Sequence, residues 1–257
     1  MLFAIDIGNT NIVCGLSEGA TLLHDWRLST DGHRSLDEYR AILHTLASAA
    51  HLDLPSAVDG VVIGSVVPAV TATLSRMCET WLGQEALVVH VGLDLGIAVR
   101  VKEPRRVGVD RLVNALAARE TYGAPCISLD FGTATKFDVV AADGAFFGGA
   151  IAPGLLTATD ALVHNTAQLP RIEFVAPPRA IGDDTVSAMQ SGIVLGYLSL
   201  VEGLLARIQD ELPGGPAPVV ATGGLAGLIA PLTSAIHHHD PTLTLRGLQL
   251  VYKRHSH

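Results

Sequence analysis

Ala4-Ile5-Asp6-Ile7-Gly8-Asn9-Thr10-Asn11-Ile12-Val13-Cys14-Gly15 has a counterpart in Ser128-Leu129-Asp130-Phe131-Gly132-Thr133-Ala134-Thr135-Lys136-Phe137-Asp138-Val139. Both read as an apolar strand, an Asp-x-Gly turn with short hydroxyl or amide side chains, and a second apolar strand. From Asp6 to Asp130 the offset is 130 minus 6, or 124 residues, close to half of a 257-residue chain. Each copy runs on to a second apolar segment that ends near a glycine, Gly15 in one case and Asp143-Gly144 in the other, as a hairpin requires. A duplicated α/β domain accounts for the repeat, with a first domain over residues 1–117 and a second over 118–257.

Working outward, Ser35 to Leu52 places Leu36, Tyr39, Ile42, Leu43 and Leu46 at helical spacing, and Asp59 to Val67 is an apolar run suited to a buried strand. Ala69 to Leu82 reads as a helix, Leu87 to Val91 as a strand, and Arg111 to Tyr122 as a helix leading to the strand at Cys126 to Leu129. Strands alternating with helices predict a parallel or mixed sheet covered by helices in each domain. In the second half, Asp184-Thr185 caps a predicted long helix running through Met189, Ile193, Tyr197, Leu200 and Leu204 toward Leu212. Its apolar residues spread almost all the way round, so the helix is either deeply buried or packed on a partner subunit, which favours a homodimer. Val219-Val220-Ala221-Thr222 is then a short strand opening into Gly223-Gly224.

Apolar residues make up 49% of the chain and charged residues 16%, a balance that excludes disorder. A net charge of -8 would repel a polyphosphate backbone, so nucleic acid is not an expected partner. Cys14, Cys78 and Cys126 are too few and too scattered for a disulfide framework or a zinc knuckle, which fits a reducing cytoplasm. Met1-Leu2-Phe3-Ala4-Ile5 reads as a first strand and not as a signal peptide. Leu212 to Ile236 is the longest uncharged run, yet its nine Gly and Pro residues would break a spanning helix, so no membrane segment is expected.

The two Asp-x-Gly hairpins carry the chemistry. Glycine lets backbone N–H groups approach an anion, while neighbouring Thr and Asn side chains donate to phosphate oxygens. The Asp cannot touch phosphate directly at neutral pH, so its role is to hold a hydrated Mg2+ that bridges the phosphates, or another cation. A third turn, Ala221-Thr222-Gly223-Gly224-Leu225, offers exposed backbone against which an adenine or ribose can lie. The sequence contains neither the Gly-x-x-x-x-Gly-Lys-Ser/Thr of a P-loop nor a Gly-x-Gly-x-x-Gly opening a helix after the first strand, so any ATP binds by the two-hairpin route.

Asp6-Ile7-Gly8-Asn9-Thr10-Asn11, Gly108-Val109-Asp110-Arg111, Asp130-Phe131-Gly132-Thr133-Ala134, Gly148-Gly149-Ala150-Ile151-Ala152-Pro153-Gly154 and Ala221-Thr222-Gly223-Gly224, in that order, resemble the signature of the type III pantothenate kinases, also described as Bvg accessory factor-like. The resemblance runs from residue 1 to about Tyr252. It implies the fold shared by acetate kinase, sugar kinases, Hsp70 and actin: duplicated ribonuclease H-like domains with ATP in the cleft between them. It further implies ATP-dependent phosphorylation of pantothenate to 4'-phosphopantothenate, the first step of coenzyme A synthesis, by a cytoplasmic homodimer that uses Mg2+ and a monovalent cation, K+ or NH4+. By resemblance, Asp6, Ile7, Gly8, Asn9, Thr10, Asn11, Ile12 and Val13 form the first phosphate loop, with Asp6 holding Mg2+ through water. Thr133 contacts ATP and Asp130 binds the monovalent cation, while Gly223 and Gly224 make the adenosine turn. Gly108, Val109, Asp110 and Arg111 line the pantothenate site with Asp110 as catalytic base, and Thr185 reaches substrate from the neighbouring subunit. Arg111 is suited to pair with the substrate carboxylate.

The chain departs from the family pattern at Val101 and Lys102, where a Tyr and an acidic residue are usual, at Lys136 in place of Thr, and at Asn165 in place of a basic residue. Lys136 either offers charge to a phosphate or points outward from its strand. These departures leave open a catalytically weak nucleotide-binding member that acts as a regulatory or accessory protein. His237-His238-His239-Asp240 reads as a solvated loop, because consecutive residues do not converge on one metal ion. Tyr252-Lys253-Arg254 is too short a basic tail for a nucleic-acid or lipid site.

Overall fold

The computed structural model describes residues 1–213 and 215–256. In chain order the elements are β1 (Leu2–Ile7), β2 (Asn11–Glu18), β3 (Thr21–Ser29), α1 (Leu36–Ala49), α2 (Leu54–Ala57), β4 (Gly60–Ser65), α3 (Pro68–Met77), β5 (Ala86–Val89) and α4 (Val109–Tyr122). Then follow β6 (Cys126–Phe131), β7 (Ala134–Val140), β8 (Phe146–Pro153), α5 (Leu155–His164), α6 (Thr185–Gln190), α7 (Gly196–Glu211), β9 (Val219–Thr222), α8 (Ala226–Ile229), β10 (His238–His239) and α9 (Leu243–His255). The chain divides into two compact units, the first made of Met1–Ile97, Lys102–Ala117 and Thr242–His257, the second of Ala98–Val101 and Ala118–Pro241. A single cut after residue 117 therefore does not describe the division, because the C-terminal segment returns to the first unit.

Each unit holds a five-stranded sheet, with orders β3-β2-β1-β4-β5 and β10-β9-β6-β7-β8. Read from the opposite edge, the second order is β8-β7-β6-β9-β10, so β6 to β10 take the places of β1 to β5 one for one. The strand senses agree as well. β1 is antiparallel to β2 and parallel to β4, and β6 is antiparallel to β7 and parallel to β9. The repeat seen in sequence is thus a repeat of topology, three antiparallel strands continued by parallel ones.

In the first unit, alternation along β1 sends Phe3, Ile5 and Ile7 to one face, where they pack with Ile12, Cys14 and Leu16 of β2, Val61 and Ile63 of β4, and Tyr39 and Leu43 of α1. α1 begins with a capping box: the Ser35 hydroxyl accepts from the Glu38 N–H, and the Glu38 carboxylate accepts from the Ser35 N–H at 2.7 Å. The opposite face of the sheet is covered by α9. A Cβ on Gly64 would lie 2.7 Å from a Leu248 methyl, and one on Gly60 would fall 2.0 Å from the Tyr252 hydroxyl, so the bare glycines of β4 let the helix seat directly on the strand. This seating is why the C-terminal helix belongs to the first unit. The Thr244 hydroxyl also donates to the buried Asn114 side chain of α4 at 2.8 Å.

In the second unit Ile127, Leu129, Phe131, Phe137, Val139, Val219 and Ala221 make the corresponding apolar face, and Tyr197, Val201 and Leu205 of α7 pack on it. α6, a π-helical turn at Ser191–Leu195 and α7 form one helical rod, Thr185–Glu211. Its N-terminus is fixed by Asp184, whose carboxylate accepts from the Ser187 N–H; that bond holds the carboxyl below its ordinary pKa. By length and composition this rod, and not Leu212 to Ile236, is the one helix among the described residues able to span a bilayer.

The histidine cluster is exposed, as a solvated segment is, but it is not a loop. His238 and His239 form β10, a parallel partner of β9, the His237 ring accepts from the Val219 N–H at 2.9 Å, and His238 stacks on Tyr122. Asp240 is buried and accepts a hydrogen bond from the Tyr122 hydroxyl. The pairing capacity of β9 recruits these residues into the sheet, a demand that local composition does not display. Cys14, Cys78 and Cys126 are free and buried, and burial pushes the Cys78 and Cys126 thiols up to about 12.

Candidate functional site

Each unit presents one Asp-x-Gly hairpin, and the two are built alike. Asp6 is the penultimate residue of β1 and Asp130 the penultimate residue of β6. In the first loop the Gly8 N–H donates to the Asn11 carbonyl at 2.9 Å; in the second the Gly132 N–H donates to the Ala134 carbonyl at 3.2 Å. The residue that follows the third strand then braces the loop in both. Thr30 donates its N–H to the Thr10 carbonyl at 3.0 Å, and Gly154 donates its N–H to the Thr133 carbonyl at 3.1 Å. Further donors reinforce this, the Thr30 hydroxyl to the Gly8 carbonyl at 2.7 Å and the Thr157 hydroxyl to the Thr133 carbonyl at 2.8 Å. With these carbonyls engaged, each loop is braced at its base by the residue that follows the third strand.

Within the first loop, Asn9, Thr10 and Asn11 are exposed, whereas Ile7 and Ile12 are core residues at 0% and 1% exposure. Ile7 and Ile12 therefore set the hairpin's angle and offer a ligand only their backbone. Asp6 and Val13 face each other across the hairpin on the sheet face opposite the apolar core. The donor set here, a carboxylate beside amide and hydroxyl oxygens, is hard, and it fits Mg2+ held through water.

Also in the first unit, Gly108-Val109-Asp110-Arg111 opens α4. Val109 is buried and anchors the turn, while the Gly108 carbonyl accepts from the Arg111 N–H at 3.1 Å. A Cβ on Gly108 would stand 2.5 Å from an Asp110 carboxylate oxygen, so glycine leaves the space the carboxylate occupies. Asp110 and Arg111, both partly exposed, sit in the first turn of the helix.

In the second unit the Asp130 carboxylate is already engaged. Asp130 and Lys136 are direct partners across β6 and β7, and the Lys136 Nζ lies 2.7 Å from Asp130 Oδ2. Both side chains are mostly buried, at 16% and 14% exposure for Lys136 and Asp130. Lys136 therefore does not point outward. Its neighbour Thr135 turns to the other face and hydrogen-bonds the Tyr197 hydroxyl, which fixes the strand so that Lys136 faces Asp130. Oδ1 of the same carboxylate lies 2.6 Å from where a Cβ on Gly223 would stand, so the third turn, with Gly223 at φ 90°, is held against Asp130 from the other side. Thr222, the direct partner of Asp130 on β9, is buried. A carboxylate with an ammonium on one oxygen and backbone against the other does not fit as the seat of a free K+ or NH4+ ion.

Thr133 and Gly224 are exposed, and Gly223 is partly so. Thr185 is the first residue of α6 and lines an apolar cavity of about 700 Å³ within the second unit, together with Leu155, Leu162, Met189, Ile193 and Leu200. Of the departures, Val101 packs near Gly148, Lys102 is exposed, and Asn165 ends α5 by donating its side-chain amide to the Ala161 carbonyl. Among the described residues no group of three or more His, Cys, Asp or Glu side chains converges on a metal position.

The comparisons with known proteins agree with this architecture. A family model described as type III pantothenate kinase matches residues 2–207. The type III pantothenate kinase of Moorella thermoacetica is 50% identical over 256 residues, covering 100% of both chains. Among solved structures, a Baf family protein from Campylobacter jejuni superposes with a TM-score of 0.61 at 16% identity over 98% of each chain. The activator of 2-hydroxyisocaproyl-CoA dehydratase from Clostridium difficile, solved with ADPNP bound, gives 0.53 at 11% identity over 99% of this chain and 96% of its own. These two likenesses show the fold alone, whereas the family model and the sequence identity together show that the chain belongs to the type III pantothenate kinase family.

Proposed function

We propose that this protein transfers the γ-phosphoryl group of ATP to the primary hydroxyl of pantothenate, giving 4'-phosphopantothenate for coenzyme A synthesis. The observation that carries this reading is the matched pair of braced Asp-x-Gly hairpins, one per unit, in a member of this kinase family. The loop of the first unit, Asp6 to Val13, receives phosphate oxygens on its backbone N–H groups and on Asn9, Thr10 and Asn11. Asp6 would hold hydrated Mg2+, which would supply positive charge against the triphosphate during transfer. Thr133 and the turn at Gly223-Gly224 serve ATP from the second unit.

Asp110 accepts the proton of the attacking hydroxyl. Phosphoryl transfer proceeds through a loose transition state, so the carboxylate takes that proton late, and its main task is to orient the hydroxyl. Gly108 keeps room for it, and Arg111 pairs with the substrate carboxylate. Curated relatives named as kinases match the chain end to end, and nothing favours the alternative of a catalytically weak regulatory member.

The working form is a homodimer. Apolar residues at the rim of the second unit, including Leu156, Leu162 and Val186, stay exposed in the single chain, and the cavity beneath them takes in the start of the helical rod with Thr185. A second copy covering this face gives the rod an apolar partner and lets Thr185 act on the neighbour's substrate. Three buried free thiols and a net charge of -8 support a reducing cytoplasmic setting without nucleic-acid partners.

A coupled assay of ADP release with pantothenate tests the assignment. Asp110→Asn lowers kcat by roughly 10²- to 10⁴-fold while ATP still binds. Equal rates for the two proteins remove Asp110 from the mechanism.

A further inference from the structure

Asp130 places a carboxylate three residues before Thr133, on the hairpin that serves a polyanion. A carboxylate there repels phosphate unless a cation cancels it. A free cation would do this only when bound. In this chain the cancelling charge is covalently present: the Lys136 ammonium stands 2.7 Å from Asp130 Oδ2, on the residue directly across the hairpin, with both side chains mostly shielded from water. The pairing is specified by more than proximity. The bond from Thr135 to Tyr197 sets the facing of β7, and Gly223 closes the far side of the carboxylate. Displacing the ammonium to admit a free ion would strand a Lys charge in a mostly buried position, which a solvated ion does not offset. An alkylammonium is chemically a tethered NH4+, with three donors and one charge.

We propose that Lys136 is a built-in replacement for the monovalent cation at Asp130, so that nucleotide binding and turnover by this protein require no K+ or NH4+. Lys136 acts through Asp130 and is a positioning residue, not a catalytic one. The proposal rests on the kinase assignment for its turnover readout, and its second readout is independent of pantothenate.

The experiment uses the full-length protein at constant ionic strength in potassium, sodium or choline chloride, with Mg2+ throughout. It records kcat/KM for ATP and the rise in melting temperature caused by Mg-ADP. The wild type holds both quantities within about twofold across the three salts, the scatter expected from nonspecific salt effects. Lys136→Thr loses about tenfold or more of kcat/KM in choline, and potassium or ammonium restores most of it, because removing one partner of a shielded pair leaves an uncompensated charge that a free ion then fills. The variant's Mg-ADP shift follows the same salts. Asp130→Asn/Lys136→Thr, which removes both charges, is insensitive to the cation and serves if the single variant fails to fold. A wild type that needs potassium for its Mg-ADP shift overturns the proposal, as does a folded Lys136→Thr that no cation rescues. If no salt gives turnover with pantothenate while Mg-ADP still raises the melting temperature, the kinase assignment fails and the nucleotide readout alone decides the cation question.

Discussion

Gly64 shows how a residue with no side chain positions a helix. Its absent Cβ is the space into which a Leu248 methyl fits, so Gly64→Val forces α9 off the sheet and destabilises the protein by about 1–3 kcal/mol, measured as a lower guanidinium midpoint with an unchanged slope. Nothing near Gly64 in sequence announces this, because Leu248 is close only after the chain has returned. Asp6 and Asp130 were legible for the opposite reason. The strand, the turn and the tight Gly that define them are all local, and two copies of a local pattern read more securely than one. Lys136 fell between these cases. Its sequence left open whether it met a phosphate or solvent, and the answer, a bond to Asp130, depends on the register of a hairpin that composition does not fix.

At the scale of elements, α1 was readable from its 3.6-residue spacing, and the structure fixes its start by a reciprocal cap between Ser35 and Glu38. Ser35→Ala removes one of those bonds and costs about 1 kcal/mol, to be read as a drop in denaturation midpoint; an unchanged midpoint would mean that water replaces the hydroxyl without penalty. β10 was not readable. Two histidines carry no strand signal, and they become a strand because the edge of β9 has unpaired groups to satisfy. The rod from Thr185 to Glu211 was read as a long helix, but the π-helical turn inside it was not, since one added residue in a turn changes no apolar period that a short window resolves.

For the whole molecule, duplication was visible from two twelve-residue stretches, and the matched strand orders extend it to every strand. The domain boundary was only half visible, because α9 joins the first unit through glycines distributed along β2 and β4. The exposed apolar rim of the second unit, which the proposed dimer would cover, gives the prediction at this scale. Light scattering reads about twice the 26.9 kDa of one chain, and Val186→Asp shifts the reading toward one chain, with activity falling because Thr185 loses its neighbour. A monomeric wild type with full activity would remove the dimer from the mechanism.

The return of α9 also sets an order of events at the ribosome. Every residue of the second unit emerges before Leu243, so the unit encoded later is the earlier one to have all its parts. Until the last helix arrives, β4 waits with Gly60 and Gly64 bare to water, and a nascent chain stalled short of Leu248 holds a first sheet finished on one side only. Completion of the first sheet therefore waits on α9, and a chaperone that shields apolar strands would have its longer task on the first unit.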